Sequence, residues 1–326
     1  MTLEPLQRPA ESVALGQPSQ RKRMLVVVNP YASTVSARLR NLVVSALAGR
    51  YEVEAIDTQS PNHATHLARE AAHEGYDVVV SFGGDGTVNE VANGLAGSQT
   101  PMTCLPGGAT NVLCKMLGIP GDIVDATQHL LRIADDWRPR RIDLGTANDR
   151  AFTYASGFGL DASVAKRIDK NLRLKASRVR ELYFVYCGVE TVLREYVVNA
   201  PRMDVQVAGE TVRAITTLVQ NGDPFTYLEN KPLRVAEGAT LDSGTLAGVA
   251  LRRALPHDIA TIMLRLFSAR RSVKGHRAVH HFAEVGELRC QSVDGRPIAL
   301  HVDGDYAGDV TEAVFAIRPA ALSVVA

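Results

Sequence analysis

Short apolar runs alternate with amphipathic stretches through the first 140 residues of the chain. Strands are predicted at 24–28, 50–56, 77–82 and 102–105, where apolar and β-branched residues follow one another. Helices are predicted at 35–48 and 61–75, the second with Ser60 as its cap and Pro61 at its first position. Repeated strand–loop–helix units predict a doubly wound α/β domain over residues 24–140, with a parallel sheet between two layers of helices.

After residue 140 the pattern changes to short strand-like runs broken by Gly, Asp and Asn. The runs lie at 141–144, 152–155, 203–207, 214–219, 245–251 and 298–302. They predict a mostly antiparallel β domain over residues 141–310, with two helices at 182–198 and 257–271. The turn sequence Val293-Asp294-Gly295-Arg296 predicts a hairpin that joins two of the last strands. The first 23 residues are predicted to form a disordered tail.

The most informative stretch is Gly83-Gly84-Asp85-Gly86-Thr87-Val88-Asn89-Glu90, which lies between a predicted strand and a predicted helix. That helix is predicted to end where Gly94 and Gly97 interrupt the apolar spacing. Glycines let a ligand approach the backbone, and the amides at a helix N-terminus attract an anion such as phosphate. Asp85 would repel a phosphate unless Mg²⁺ lay between them, so the stretch indicates a nucleotide bound with Mg²⁺.

Two interpretations of this stretch stay open on physical grounds alone: a phosphate site, or an ordinary tight connection between a strand and a helix. The third glycine of a dinucleotide fingerprint is missing, and no Gly-x-x-x-x-Gly-Lys-Ser/Thr motif occurs in the chain. The loops at 29–33, 58, 83–89 and 106–111 all follow predicted parallel strands. Because the carboxyl ends of such strands share one edge of the sheet, this convergence favours a nucleotide site.

The composition excludes several classes of protein. With 46% hydrophobic and 22% charged residues and a net charge of +1, the chain has no global field that favours nucleic acid. The four cysteines have no metal-ligand spacing, so we expect reduced thiols in the core. The N-terminus lacks the pattern of a signal peptide, and no run of about 20 apolar residues could span a bilayer. We therefore expect a cytoplasmic protein without a transmembrane segment. The sequence is compatible with a homodimer but does not require one.

Several motifs occur in an order that is similar to one known family. They are Asn29-Pro30, the stretch at 83–90, Pro106-Gly107-Gly108 with Asn111, Asp143-Leu144-Gly145, Gly157-Phe158-Gly159-Leu160-Asp161, Asn221 and Val302-Asp303-Gly304-Asp305. From about residue 24 to its end, the chain resembles the bacterial diacylglycerol kinase-like lipid kinases. NAD kinases share Gly-Gly-Asp-Gly-Thr but usually carry their Asn-Glu pair further downstream.

The resemblance implies a C-terminal β-sandwich, a deep cleft between two domains, and a last segment, 311–326, that returns to the first domain. It implies ATP and Mg²⁺ as cofactors. The residues it assigns to the nucleotide are Asn29, Pro30, Ser33, Thr58, Gly83, Gly84, Asp85, Gly86, Thr87, Asn89, Glu90, Gly108 and Thr110. It makes Asp305 the general base, while Asp303 orients the base or helps Asp85 to hold the catalytic Mg²⁺.

Three positions depart from the family pattern. Ala109 stands where the family commonly has Thr, so Thr110 would have to supply the hydroxyl. Asp305 stands where the family has Glu, a carboxylate one methylene longer. Ser243 replaces the second Asp of a segment that binds a structural Mg²⁺ in some members, which argues against that site here. Without the resemblance, Asp303-Gly304 between apolar residues would favour a plain hairpin turn.

Basic residues are concentrated at 166–180, followed by an apolar stretch. A solvated surface is the default interpretation. The alternative is a surface that binds anionic lipid headgroups through Arg173, Lys175 and Arg178, next to Tyr183.

The combined hypothesis is an ATP- and Mg²⁺-dependent kinase that phosphorylates a hydroxyl of diacylglycerol or a related lipid, attached peripherally to the inner face of the membrane. One rival is a NAD kinase-like enzyme with a soluble substrate. The other is a nucleotide-binding regulator that has lost phosphotransfer, which the departures at Ala109 and Asp305 support.

Overall fold

The computed structural model describes residues 21–134, 136–169, 200–228, 231–268 and 271–326. The first 20 residues and the predicted helix at 182–198 lie outside the described residues. The same holds for the proposed lipid-docking residues Arg173, Lys175, Arg178 and Tyr183.

The first domain is built around a parallel sheet. Its elements are β1 (Arg23–Val28), α1 (Ala37–Leu47), β2 (Glu52–Asp57), α2 (His63–His73), β3 (Val78–Gly83), α3 (Asp85–Leu95), β4 (Met102–Pro106), α4 (Val112–Met116) and α5 (Ile123–Arg132). The strands pair in parallel in the order β2-β1-β3-β4. Every residue of β3 is buried, which explains its uninterrupted apolar sequence because helices cover both faces of such a sheet.

The second domain contains mostly short strands. Its elements are β5 (Arg140–Ala147), β6 (Arg150–Phe152), β7 (Ala155–Phe158), α6 (Leu160–Asp169), β8 (Met203–Val207), β9 (Glu210–Ala214), β10 (Thr216–Gln220), β11 (Thr226–Leu228), β12 (Lys231–Leu233), β13 (Leu246–Leu251), α7 (Pro256–Leu266), a 3₁₀ turn (Val273–Gly275), β14 (Val279–Val285), β15 (Glu287–Ser292), β16 (Ile298–Val302), β17 (Asp305–Val310) and β18 (Glu312–Val324).

Two antiparallel layers pack face to face in this domain. One layer has the order β14-β13-β10-β7-β16-β17, and the other contains β5, β18, β15, β8 and β9. Phe158 of the first layer shares a fully buried cluster with Phe152 and Phe315 of the second. The predicted fold class, a parallel α/β domain followed by an antiparallel β domain, is confirmed.

Strand β18 connects the two domains within one sheet. It runs antiparallel to β5 and β15, and at Val324 it pairs in parallel with Met102 of β4. The parallel sheet and one layer of the β domain therefore form a continuous ten-stranded sheet. Among the described residues, no helix has the length and apolar content needed to cross a bilayer.

Helix α2 begins at His63, so the predicted start at Pro61 is wrong. Asn62 precedes the helix in the left-handed conformation, with φ of 65°. The carboxylate of Glu90, from α3, accepts the amides of Asn62 and Ala64. A side chain from a distant element thus caps the helix, and local cap residues do not decide where it starts.

Gly94 lies inside α3, so the prediction that it helps to end the helix is wrong. A Cβ on Gly94 would lie 2.5 Å from the carbonyl oxygen of Thr65. The glycine therefore permits a close approach of α2 to α3, which outweighs its low helix propensity.

The turn at 293–296 does not form a hairpin between paired strands. Strand β15, before the turn, pairs with β8 and β18, whereas β16, after it, pairs with β7 and β17. The turn chemistry is local, with the Asp294 carboxylate accepting the Arg296 amide over 3.1 Å. Pairing was decided instead by the layer that each strand enters.

Candidate active site

The glycine loop, residues 83–86, runs from the last residue of β3 into the first turn of α3 and packs directly on the loop that follows β4. The Gly107 amide donates to the Gly83 carbonyl over 2.8 Å. A Cβ on Gly108 would lie 2.6 Å from the Cα of Gly84, so no side chain fits there. The two loops therefore present bare backbone at the N-terminus of α3, where unpaired amides attract an anion.

Asn29 connects the loop after β1 to the end of β3 and the first turn of α3. Its Nδ2 donates to the Thr87 hydroxyl over 3.1 Å, and its backbone amide donates to the Phe82 carbonyl over 2.9 Å. The Thr34 amide donates to the Gly107 carbonyl over 3.2 Å. The loops after β1, β3 and β4 thus meet at the carboxyl edge of the parallel sheet.

The other residues assigned to the nucleotide lie around this edge. Pro30 and Ser33 are exposed on the loop after β1. Thr58 follows β2 and donates its amide to the Val28 carbonyl over 2.8 Å. Thr110 is partly buried beside the exposed Ala109.

Asp85 stands at the first position of α3. Its Oδ1 accepts the Val112 amide over 2.6 Å. Desolvation raises the pKa of Asp85 to about 7; the Val112 amide opposes this rise, and the carboxylates of Asp303 and Asp305 add to it. A cation placed beside these carboxylates would favour the charged form of Asp85.

Asp305 lies against the glycine loop, although more than two hundred residues separate the two in sequence. Its Oδ2 is 2.6 Å from the position that a Cβ on Gly86 would occupy. The hairpin between β16 and β17 brings it there, with Asp303 and Gly304 in the left-handed region at φ of 46° and 83°. The predicted hairpin turn is present, and it places the Asp305 carboxylate beside Gly86.

Asp303 is buried, and protein donors surround its carboxylate. It accepts the amides of Thr153, Tyr154 and Ala155, the Thr153 hydroxyl and the Asn89 side chain, over 2.7–3.1 Å. These bonds bend the chain between β6 and β7, where the sequence had predicted one strand over 152–155. They also attach α3 to the β domain, because Asn89 lies on α3.

Comparisons with known proteins show what the chain is similar to. The model of the diacylglycerol kinase catalytic domain matches residues 23–147. A diacylglycerol kinase of Staphylococcus aureus is 25% identical over 295 residues, which cover 88% of this chain and 87% of that protein. These similarities support a relationship to the diacylglycerol kinase-like lipid kinases.

A second relative is a Streptococcus pneumoniae protein provisionally named a lipid kinase. It is 37% identical over 142 residues, and the match spans 47% of its length. A crystal structure of a diacylglycerol kinase from Bacillus anthracis superimposes with a TM-score of 0.68 at 18% identity, covering 94% of this chain and 98% of that one. At this identity the likeness concerns the fold.

Glu90 faces α2. Both of its carboxylate oxygens accept amides at the start of α2, over 2.9 Å from Asn62 and 3.1 Å from Ala64. The side-chain hydrogen bonds of Glu90 therefore join two helices.

Three residues near Asp85 or the turn that carries Asp305 were not assigned from the sequence. The hydroxyl of Tyr154 donates to the Asp303 carbonyl over 2.8 Å, and burial together with the nearby carboxylates raises its pKa. Lys115 lies 4.8 Å above the ring of Tyr227, and the charge of Asp85 partly offsets the lowering of its pKa by desolvation. The available signals were weak: a lone Tyr before a motif, and a Lys one turn into a helix.

His301 is the third residue that the sequence did not assign. It lies on β16 and is buried, with Nε2 2.7 Å from Oδ2 of Asp161. Its Nδ1 lies 3.3 Å from the amide of Gly304, in the turn that carries Asp305. A histidine two residues before Asp303 on an otherwise apolar strand was the signal for it.

In the segment that contains Ser243, polar groups form hydrogen bonds with other protein groups. The Ser243 hydroxyl donates to the carbonyl of Thr240 over 3.0 Å, and the Gly244 amide donates to the Asp143 carboxylate over 2.6 Å. Within the described part of the chain, no group of three or more His, Cys, Asp or Glu side chains is arranged to hold a metal ion.

Proposed function

We propose that this protein is an ATP- and Mg²⁺-dependent kinase that transfers the γ-phosphoryl group to a hydroxyl of diacylglycerol or a related lipid. One observation carries the proposal: the carboxylate of Asp305 lies against Gly86, at the N-terminus of α3. A phosphate-binding site made of backbone amides and a candidate general base therefore lie next to each other. The names of the relatives support the lipid acceptor.

The chain's own groups fit a nucleotide with its metal. The amides of the glycine loop would bind phosphate oxygens, and Asn29 and Thr87 hold the neighbouring loop in place. Mg²⁺ in kinases is held by one or two carboxylates together with phosphate oxygens, and Asp85 and Asp305 offer that set. The bound metal supplies positive charge beside the transferred phosphoryl group.

Asp303 has a different task in this proposal. Five protein donors already surround its carboxylate, so Asp303 holds the turn and Asn89 in place. Contact with the metal and the substrate is assigned to Asp85 and Asp305. Asp305 then accepts the proton of the lipid hydroxyl as the phosphoryl group leaves ATP, because a carboxylate within hydrogen-bond reach strengthens a weak nucleophile. The proposed place of action is the inner face of the membrane.

Phosphate transfer from radiolabelled ATP to a panel of acceptors tests this proposal. The panel contains diacylglycerol, other lipid alcohols and NAD, each with and without Mg²⁺. The test variant is Asp305→Asn, and the matched control is Asp309→Asn on the same strand, whose carboxylate pairs with Lys166 at the surface.

We expect lipid phosphorylation that falls at least about a hundredfold in Asp305→Asn and stays unchanged in Asp309→Asn. Phosphorylation of NAD alone would overturn the lipid acceptor in favour of a soluble one. Nucleotide binding without turnover on any acceptor would overturn the kinase activity.

A further inference from the structure

Helix α7 has apolar side chains on its solvent face as well as on its inner face. On the inner face, Ile259 and Ile262 pack on a small cluster that includes Ile215 and Leu251. That contact accounts for the folding of the helix onto the β domain. The side chains on the opposite face need a separate explanation.

The solvent face of α7 carries a stripe formed by Ala260, Met263, Leu264 and Phe267, which we call the outer stripe. Leu264 is 73% exposed, Phe267 58% and Met263 44%. The spacing i, i+3, i+4, i+7 places the four side chains side by side on one helix face, where a surface helix normally carries polar residues. Contiguous exposed apolar side chains of this kind mark a contact surface.

The outer stripe lies within a basic part of the chain. Residues 252–277 contain seven Lys or Arg residues and one acidic residue, Asp258. Asp258 is fully buried and pairs with Arg253 over 2.9 Å and with Arg277 over 3.4 Å. Lys274 pairs with Glu237 from outside this stretch, so basic side chains outnumber these two acidic partners around α7. We call the described basic residues of the stretch the basic belt: Arg252, Arg253, Arg265, Arg271, Lys274 and Arg277.

We propose that α7 docks this protein on an anionic lipid bilayer, with the outer stripe inserted among the lipids and the basic belt bound to their headgroups. Apolar side chains beside basic ones match the two layers of a membrane surface. The inference deepens the proposed function and rests on it, because a lipid kinase has to reach a substrate that lies in a bilayer.

A second copy of the chain fits this face less well. A two-fold interface through the outer stripe would place the basic belt of one copy against the same belt of the other. Like charges facing each other disfavour such a contact, whereas anionic headgroups neutralise them.

The outer stripe of α7 is separated by the length of β7 from the turn that carries Asp305. At one end of β7, the carbonyl of Ala155 accepts the amide of Asp303. At the other end, Phe158 pairs with Thr217, close to the cluster on which α7 packs. Three residue steps along a strand span roughly 10 Å. Changes in the outer stripe therefore leave the catalytic residues in place.

Co-sedimentation with vesicles tests the outer stripe. The full chain is mixed, without ATP, with vesicles of phosphatidylcholine alone or with phosphatidylglycerol added. The test variant is Leu264→Ser/Phe267→Ser. The matched control is Leu42→Ser/Val124→Ser, two exposed apolar residues on helices of the first domain, which are 59% and 55% exposed.

We expect the wild type to bind vesicles that contain phosphatidylglycerol, the test variant to bind at least about tenfold more weakly, and the control to bind like the wild type. The basic belt is tested with Arg271→Gln/Lys274→Gln against Arg38→Gln/Arg69→Gln. Only the first pair should weaken the dependence on phosphatidylglycerol.

A tryptophan reporter shows insertion directly. Leu264→Trp in a Trp137→Phe background leaves one indole in the chain, which contains a single tryptophan. Quenching of its fluorescence by brominated lipids supports docking through α7, even where the double Ser variant does not fold. Absence of quenching in vesicle-bound protein overturns the proposal.

Other outcomes also overturn it: no vesicle binding by the wild type, unchanged binding by a folded outer-stripe variant, or a wild-type dimer that this variant dissociates without a change in vesicle affinity. Failure of the proposed function is distinguished by a separate assay. With short-chain diacylglycerol in detergent micelles, docking variants should be as active as the wild type, whereas a protein that is not a lipid kinase shows no transfer at all.

Discussion

Buried His301 and partly buried Asp161 form a pair behind the turn that carries Asp305, with Nε2 of the imidazole 2.7 Å from Oδ2 of the carboxylate. The same ring accepts the Gly304 amide at Nδ1. While Nδ1 accepts that amide, the hydrogen on Nε2 faces the Asp161 carboxylate. The pair connects the start of α6 to the turn that positions Asp305.

Replacing His301 should therefore affect turnover more than nucleotide binding. In His301→Phe the turn loses its hydrogen bond to the ring, and we expect kcat to fall by about tenfold or more while KM for ATP changes little. Steady-state kinetics measure the split between the two parameters. His280→Phe, on β14, is the control. An increase in KM with unchanged kcat would contradict this role.

Gly86→Ala tests the contact between the glycine loop and Asp305. The new Cβ would lie 2.6 Å from Oδ2 of Asp305, so this flexible carboxylate must rotate away. We expect kcat to fall about a hundredfold, because a catalytic group displaced by about 1 Å loses much of its effect. Stability should not fall, since alanine favours a helix over glycine.

The control for this change is Gly121→Ala, where an added Cβ meets nothing within 4 Å. Both variants are assayed for activity and for unfolding by urea. Full activity of folded Gly86→Ala would show that Asp305 does not act from the observed position.

The pKa of Asp85 predicts how stability depends on pH. Its folded value of about 7 lies above the value of about 4 in an unfolded chain. Between these values the native state binds more protons than the unfolded state, so the free energy of unfolding falls as pH rises from about 4 to about 7.

Asp85→Asn removes this titration and keeps an oxygen that accepts the Val112 amide. We expect its stability relative to the wild type to improve by on the order of 1 kcal/mol between pH 5 and pH 8. Urea unfolding without nucleotide or metal measures the difference at both pH values. Asp309→Asn should show no such trend, and a constant difference for Asp85→Asn would contradict the assignment.

Glu90→Ala tests whether Glu90 caps α2 or contacts the nucleotide. Because Glu90 accepts two amides at the start of α2, its loss should lower stability by about 1 kcal/mol and leave KM for ATP unchanged. Glu70→Ala, at an exposed position of α2, is the control for stability. A higher KM without loss of stability would assign Glu90 to the nucleotide.

The elements with a clear pattern of apolar and polar residues could be predicted from the sequence. The apolar run of β3 and the helical spacing from Val88 onward are local, so residues close in sequence decide their conformation; the helix itself begins earlier, at Asp85. The antiparallel character of the second domain followed from short runs broken by turn residues. Boundaries were less certain, and α2 shows why: the side chain that caps it comes from α3.

The sequence by itself determined the parallel and antiparallel domains and the glycine loop with its acidic residue, since these depend on spacing between neighbours. Only the tertiary structure decided that Asp305 lies against Gly86, that Asp303 is fully hydrogen-bonded, and that β18 joins both domains in one sheet. The reason is physical: such contacts join residues far apart in the chain, and the packing of two cores against each other brings them together.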